Sequence, residues 1–144
     1  MPMPIFVYGT LKEGFPNFHL NPGQRISGVY RTRQPLPFYV VQLRDEDRAP
    51  WLMNKPGHGV QVTGQVFEVD AATLQAMDVF EGVGLPTGYV RVAVELEAVD
   101  EAGAVLHAHV YMKEEHQMVE CLAIEGPFSE YTAELAVGYR LEMP

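Results

Sequence analysis

The stretch VQVTGQVFEVDAATLQAMDVFEG, residues 60–82, changes its hydrophobic period from two to about 3.6 at Asp70. Upstream, Val62, Gly64 and Val66 share one side of an alternating run over residues 60–69, which reads as a half-buried strand. Downstream, the Asp70 carboxylate is placed to cap a helix of about three turns that closes at Gly82. Beyond the helix, Val90, Val92, Val94 and Leu96 alternate against Arg91, Glu95 and Glu97. Leu106, Ala108, Val110 and Met112 repeat that period, with Asp100-Glu101-Ala102-Gly103 as a hairpin turn between the two runs. Before the opening stretch, Ile5-Phe6-Val7-Tyr8 and Phe38-Tyr39-Val40-Val41 are short apolar strands, and the charged residues 44–48 read as a solvated loop. A weaker helical pattern covers residues 116–124, ahead of Gly126-Pro127. Five strands with one strong helix between the third and fourth predict an α+β fold on a mixed or antiparallel sheet, open to curling into a barrel.

Composition bounds the function classes. The 144 residues are 47% hydrophobic, 20% charged and 10% aromatic, which excludes collagen, coiled coil and gross disorder and predicts one domain over residues 1–144. Nineteen acids against ten bases give a net charge of -9, which repels phosphate backbones and anionic membranes and argues against a nucleic-acid partner. The excess is uneven: residues 1–94 carry eight acids and eight bases, residues 95–144 eleven acids and two bases. An anionic small molecule is therefore compatible with a site in the neutral part. Cys121 is solitary, no secretory segment is recognisable, and no apolar run approaches the roughly 18 residues that span a bilayer. These features predict a cytoplasmic protein without a membrane partner.

Four constellations bear on chemistry. Leu74, Met77 and Glu81 stand at i, i+3 and i+7, so the apolar face of the helix ends in a carboxylate. Glu81 is either solvated at a fraying helix end or partly desolvated at the edge of the core, where its pKa rises toward the range useful for proton transfer. Tyr8-Gly9-Thr10-Leu11 runs from a strand into a turn; it is either an ordinary tight turn or a set of outward amides that binds an anion. His107 and His109, with His116, have a spacing open to a metal, but no HExxH, paired Cys or close carboxylate supports one, so neither metal nor cofactor is expected. Cys121 has no adjacent His to activate it as a nucleophile.

Taken together, Val7-Tyr8-Gly9-Thr10-Leu11-Lys12, Ala49-Pro50-Trp51-Leu52, residues 64–70, Asp78-Val79-Phe80-Glu81 and Tyr89-Val90-Arg91 resemble the γ-glutamylcyclotransferase-like superfamily, and most closely its γ-glutamylamine cyclotransferase branch. The resemblance covers residues 4 to about 112, in order and spacing. It implies a small mixed or antiparallel β-barrel with flanking helices. It also implies a small-molecule γ-glutamyl substrate bound by Tyr8, Gly9, Thr10 and Leu11, with Glu81 as the proton acceptor. Tyr89 and Tyr111 carry over as aromatic residues near the site wall, each equally open to a structural role; Trp51, read as a large aromatic in a loop, needs only a packing role. The implied reaction cyclises the glutamyl half to 5-oxoproline and releases a free amine. A binding module that holds a γ-glutamyl or amino-acid-like ligand without turnover is the alternative, and a cyclotransferase for γ-glutamyl peptides or glutathione is a second.

Overall fold

The computed structural model describes residues 2–100 and 104–141. In chain order the strands and helices are β1 (Met3–Val7), β2 (Gln24–Thr32), β3 (Phe38–Gln42), β4 (Glu46–Asp47), β5 (Ala49–Leu52), β6 (Thr63–Val69), α1 (Ala71–Phe80), β7 (Val90–Ala98), β8 (Val105–Met112), β9 (Ala123–Glu125), α2 (Ala133–Ala136) and β10 (Arg140–Leu141). Five strands close into a barrel in the order β1-β6-β2-β7-β8. Every pairing is antiparallel except β1 with β8, which closes the barrel in parallel at Ile5 and His109. The barrel is therefore mixed. A second sheet, β5-β3-β9, lies beside it, and β4 pairs with β10.

Period two sorts the side chains. Phe6, Val66, Leu96, Val110 and Met112 point into the barrel and fill it together with Leu36, Phe38 and Tyr131. Ile5, Val7, Phe67, Val69 and Tyr111 point outward, where Leu74 and Met77 of α1 cover them. The cover makes β6 a strand buried on both faces, whereas alternation predicts a half-buried one. The helix itself forms where expected: the Asp70 carboxylate accepts from the Thr73 amide at 2.7 Å, and α1 ends at Phe80 with Glu81 as its C-cap.

Three expectations need correction. Residues 44–48 are not a free loop, because Glu46 and Asp47 pair with β10. The helical pattern over residues 116–124 resolves into a 3-10 helix, Glu115–Glu120, followed by strand β9. Trp51 lies in β5 rather than in a loop; it is 3% exposed and packs with Val41, Ala49 and Met53. Of the expected turn at residues 100–103, residues 101–103 lie outside those described, although β7 and β8 pair in register from Val90–Met112 to Glu97–Val105. Among the described residues no helix is long and apolar enough to cross a membrane.

Candidate active site

The barrel interior is filled, and the residues implied by the resemblance border a cavity outside it. About 730 Å³ opens where the end of β1, the end of α1, Tyr111 of β8, and the β4–β10 pair meet. Tyr8, Gly9, Thr10, Leu11, Glu81, Tyr89 and Tyr111 all line it, so the residues implied by the resemblance face one space. His107, His109 and Cys121 do not line it. His109 Nδ1 stands 3.0 Å from the Arg91 guanidinium, and Cys121 is half-buried against the Trp51 cluster, where burial pushes its thiol up. No group of three His, Cys, Asp or Glu gathers among the described residues.

The first wall is the turn after β1. Lys12 N donates to Gly9 O at 3.1 Å and Asn17 N to Thr10 O at 2.8 Å, which folds the turn back on itself. Among the described residues no backbone carbonyl accepts from the amides of Gly9, Thr10 or Leu11. Gly9 rests on Pro50 so closely that a Cβ there would stand 2.7 Å from the proline Cγ. Lys12 is buried, and its ammonium donates to Tyr131 O across the core. Successive amides without partners form a concavity suited to a carboxylate or an oxyanion.

The second wall is the end of α1. Leu74 and Met77 are buried on the barrel and Glu81 follows on the same face. Its amide donates to Met77 O and its carbonyl accepts from Tyr89 N at 2.9 Å. The loop between them returns tightly: a Cβ on Gly88 would stand 1.9 Å from Gly82 O, so no side chain fits there. Lys113 and Gln117 hold the loop from behind. The Lys113 ammonium donates to Thr87 O at 2.7 Å and lies 4.2 Å from the Tyr89 ring and 4.9 Å from that of Trp51. Gln117 Nε2 donates to Pro86 O at 3.0 Å and Gly88 O at 2.8 Å. Burial pushes the Glu81 carboxyl up to about 7; the Lys113 charge opposes the rise and Glu46 adds to it.

The tyrosines carry different loads. Tyr8 is buried and its hydroxyl donates to Tyr111 O at 2.8 Å; burial, then the Glu81 charge, raises its pKa well above the usual range. The Tyr111 hydroxyl donates to Asp78 at 2.7 Å, and the same oxygen accepts from Arg91 Nε at 2.9 Å. Tyr111 thus offers the cavity its ring while its hydroxyl braces α1 against β7 and β8. Burial raises Tyr89 as well.

The cavity also holds residues that no motif or periodicity singles out. Glu46, Asn17 and Tyr139 form a chain: Asn17 Nδ2 donates to Thr10 Oγ1 at 3.0 Å and to the Tyr139 hydroxyl at 3.1 Å, and that hydroxyl donates to Glu46 at 3.0 Å. Burial pushes the Glu46 carboxyl up. Each comes from a segment without periodicity, and only the tertiary pairing of β4 with β10 brings Glu46 inward.

This arrangement can bind an anionic group on the amides after Tyr8 and move a proton at Glu81. Comparison with known proteins identifies the family. The family model described as "Gamma-glutamyl cyclotransferase, AIG2-like" matches residues 5–130. A protein named gamma-glutamylaminecyclotransferase C from Danio rerio is 36% identical over 117 residues, covering 76% of this chain and 74% of its own length. A gamma-glutamylaminecyclotransferase from Rattus norvegicus is 36% identical over 102 residues, covering 69% and 67%. The crystal structure of an AIG2-like protein from Mus musculus superposes with a TM-score of 0.76 at 28% identity, covering 99% of this chain and 97% of that one. The chain accordingly belongs to the γ-glutamyl cyclotransferase, AIG2-like family.

Proposed function

We propose that this protein is a cyclotransferase that converts a γ-glutamyl amine, or another γ-glutamyl amide, to 5-oxoproline and a free amine, with Glu81 moving the proton. The observation that carries this reading is the Glu81 carboxyl, held near 7 on the wall of the cavity that the Tyr8–Leu11 turn also lines. A site that only binds has no use for such a group. The relatives named as γ-glutamylamine cyclotransferases supply the substrate class.

The chemistry needs neither water nor a covalent enzyme intermediate. The neutral α-amine of the glutamyl half attacks the γ-carbonyl carbon, forming the ring C–N bond. One amine proton passes to the Glu81 carboxylate. The amide C–N bond then breaks, and Glu81 returns the proton to the departing nitrogen, so atoms and charge balance. The amides of Gly9, Thr10 and Leu11 hold the α-carboxylate or the oxyanion, a contact of the kind worth about 2.7–4 kcal/mol in a transition state. Tyr8, Tyr89 and Tyr111 shape the space in which the glutamyl chain folds back.

Purified protein incubated with a panel of γ-glutamyl amines and dipeptides is expected to produce 5-oxoproline, and Glu81→Gln to lower kcat by about 10²–10⁴-fold. A γ-glutamyl amide acetylated on its α-nitrogen should not react. Cleavage of that acetylated amide would make the protein a hydrolase, and a folded Glu81→Gln protein of near-parental rate would remove Glu81 from the mechanism.

A further inference from the structure

Two carboxylates face the cavity, and the proton transfer accounts for one. Glu46 enters from the other side, on a two-residue strand whose partner is β10. One of its oxygens accepts from the Tyr139 hydroxyl at 3.0 Å. No ion pair among the described residues involves it. The neighbouring cations do not contact it: Lys113, whose charge acts on Glu46 from a distance, donates to Thr87 O, and Arg140 pairs with Asp47, its side chain 70% exposed. Tyr8, Tyr89, Tyr111 and Tyr139 line the same cavity, together with Phe6 and Phe80. A carboxylate with no cation in direct contact, among aromatic rings, is the chemistry that receives an ammonium.

We propose that Glu46 selects the departing amine, by receiving a second cationic group that this amine carries beyond the nitrogen being released. The proposal rests on the cyclotransferase reading. The α-ammonium of the glutamyl half is the wrong partner for Glu46. Glu81 already serves that nitrogen as its proton acceptor, and a second carboxylate paired with it would favour the protonated form and oppose the attack. The amine half lies beyond the scissile bond. It needs its own wall, and β4 with the Tyr139–Leu141 segment supplies one that shares no residue with the turn after Tyr8.

The test compares two γ-glutamyl amides of equal length, those of 1,5-diaminopentane and of pentylamine, with wild type, Glu46→Gln and Tyr139→Phe. Glutamine keeps an acceptor for the Tyr139 hydroxyl and loses only the charge; phenylalanine removes the hydroxyl and leaves the charge. Wild type is expected to favour the diamine amide about tenfold or more in kcat/KM, the discrimination typical of one charge-assisted contact. Glu46→Gln should bring that ratio close to one, through KM, while Tyr139→Phe preserves it. A wild-type ratio near one, or a ratio that survives in Glu46→Gln, overturns the proposal. Equal collapse of the ratio in both variants also overturns it, because Glu46 would then act only as an anchor for the chain end. Turnover of the pentylamide by wild type reports separately on the cyclotransferase reading. If neither amide reacts, calorimetric binding decides: tighter binding of the diamine amide by wild type than by Glu46→Gln upholds the role of Glu46, and equal binding removes it.

Discussion

Burial raises the Glu81 carboxyl from an ordinary value of 4.5 to about 7, so near neutral pH the base and the acid forms are comparably populated. The ring closure starts from the carboxylate, so kcat/KM is expected to fall as pH drops through about 7. The loss should follow a single protonation in an initial-rate profile; an acid limb near 4.5 would mean that the group is solvated. The same shift affects stability. Between 4.5 and about 7 the native state binds the proton that the unfolded state has released, so the favourable contribution of this group is complete below 4.5 and disappears as pH rises through 7. Replacement by Gln removes that loss. Glu81→Gln should therefore gain stability over wild type between pH 5 and pH 8, by on the order of 1–3 kcal/mol, in urea denaturation at the two pH values. A pH-independent difference between the proteins would argue against a desolvated carboxyl.

At the scale of elements, Glu81 owes its place to α1 on one side and to the loop through Tyr89 on the other. The helix is fixed by its Asp70 cap and by Leu74 and Met77 on the barrel. The loop is fixed by Lys113 and Gln117, which take three consecutive carbonyls, those of Pro86, Thr87 and Gly88. Gln117→Ala removes two of those bonds and is expected to lower kcat several-fold, at a stability cost of about 1–2 kcal/mol. The Tyr89 amide, bonded to Glu81 O, should then exchange its proton faster, as read by hydrogen exchange. Unchanged exchange at Tyr89 would mean that Gly82 and Gly88 hold the loop by themselves. The helix was legible in the sequence because cap, periodicity and stop signal agree from Asp70 to Gly82. Four barrel strands were legible for the same reason. Strand β2 was not: Gly28 has φ +100, and the register with β6 breaks between Ile26 and Tyr30, so its apolar residues lose period two. Glu46 was hidden differently. Within five consecutive charged residues it carries no local mark, and its pairing partner lies more than ninety residues away.

Across the whole molecule, the barrel is complete by Met112, yet the cavity is not. Tyr139, Arg140 and Leu141 form one side of it. Polar contacts fasten this last segment: Arg48 Nε donates to Leu135 O at 3.1 Å, the Tyr139 hydroxyl links Asn17 to Glu46, and β10 pairs with β4. Its apolar share is small, with Leu135 and Ala136 partly buried against the core and Val137 exposed. Tyr131, by contrast, is fully buried, and its carbonyl accepts from Lys12. A chain ending after Thr132 therefore keeps the core anchor and loses α2, β10 and the outer wall. It should retain the strand signal in circular dichroism and unfold cooperatively, with a stability loss of about 1–3 kcal/mol from the loss of the Leu135 and Ala136 contacts and of the hydrogen bonds. Glu81, Tyr8, Tyr89 and Tyr111 all remain, so kcat should change less than KM, which is expected to rise about tenfold or more as the amine half of the substrate loses its wall. The kinetic split is the informative measurement. A truncated protein with parental KM would confine recognition to the turn after Tyr8 and the end of α1. A selective fall in kcat would instead tie the last segment to the proton transfer at Glu81.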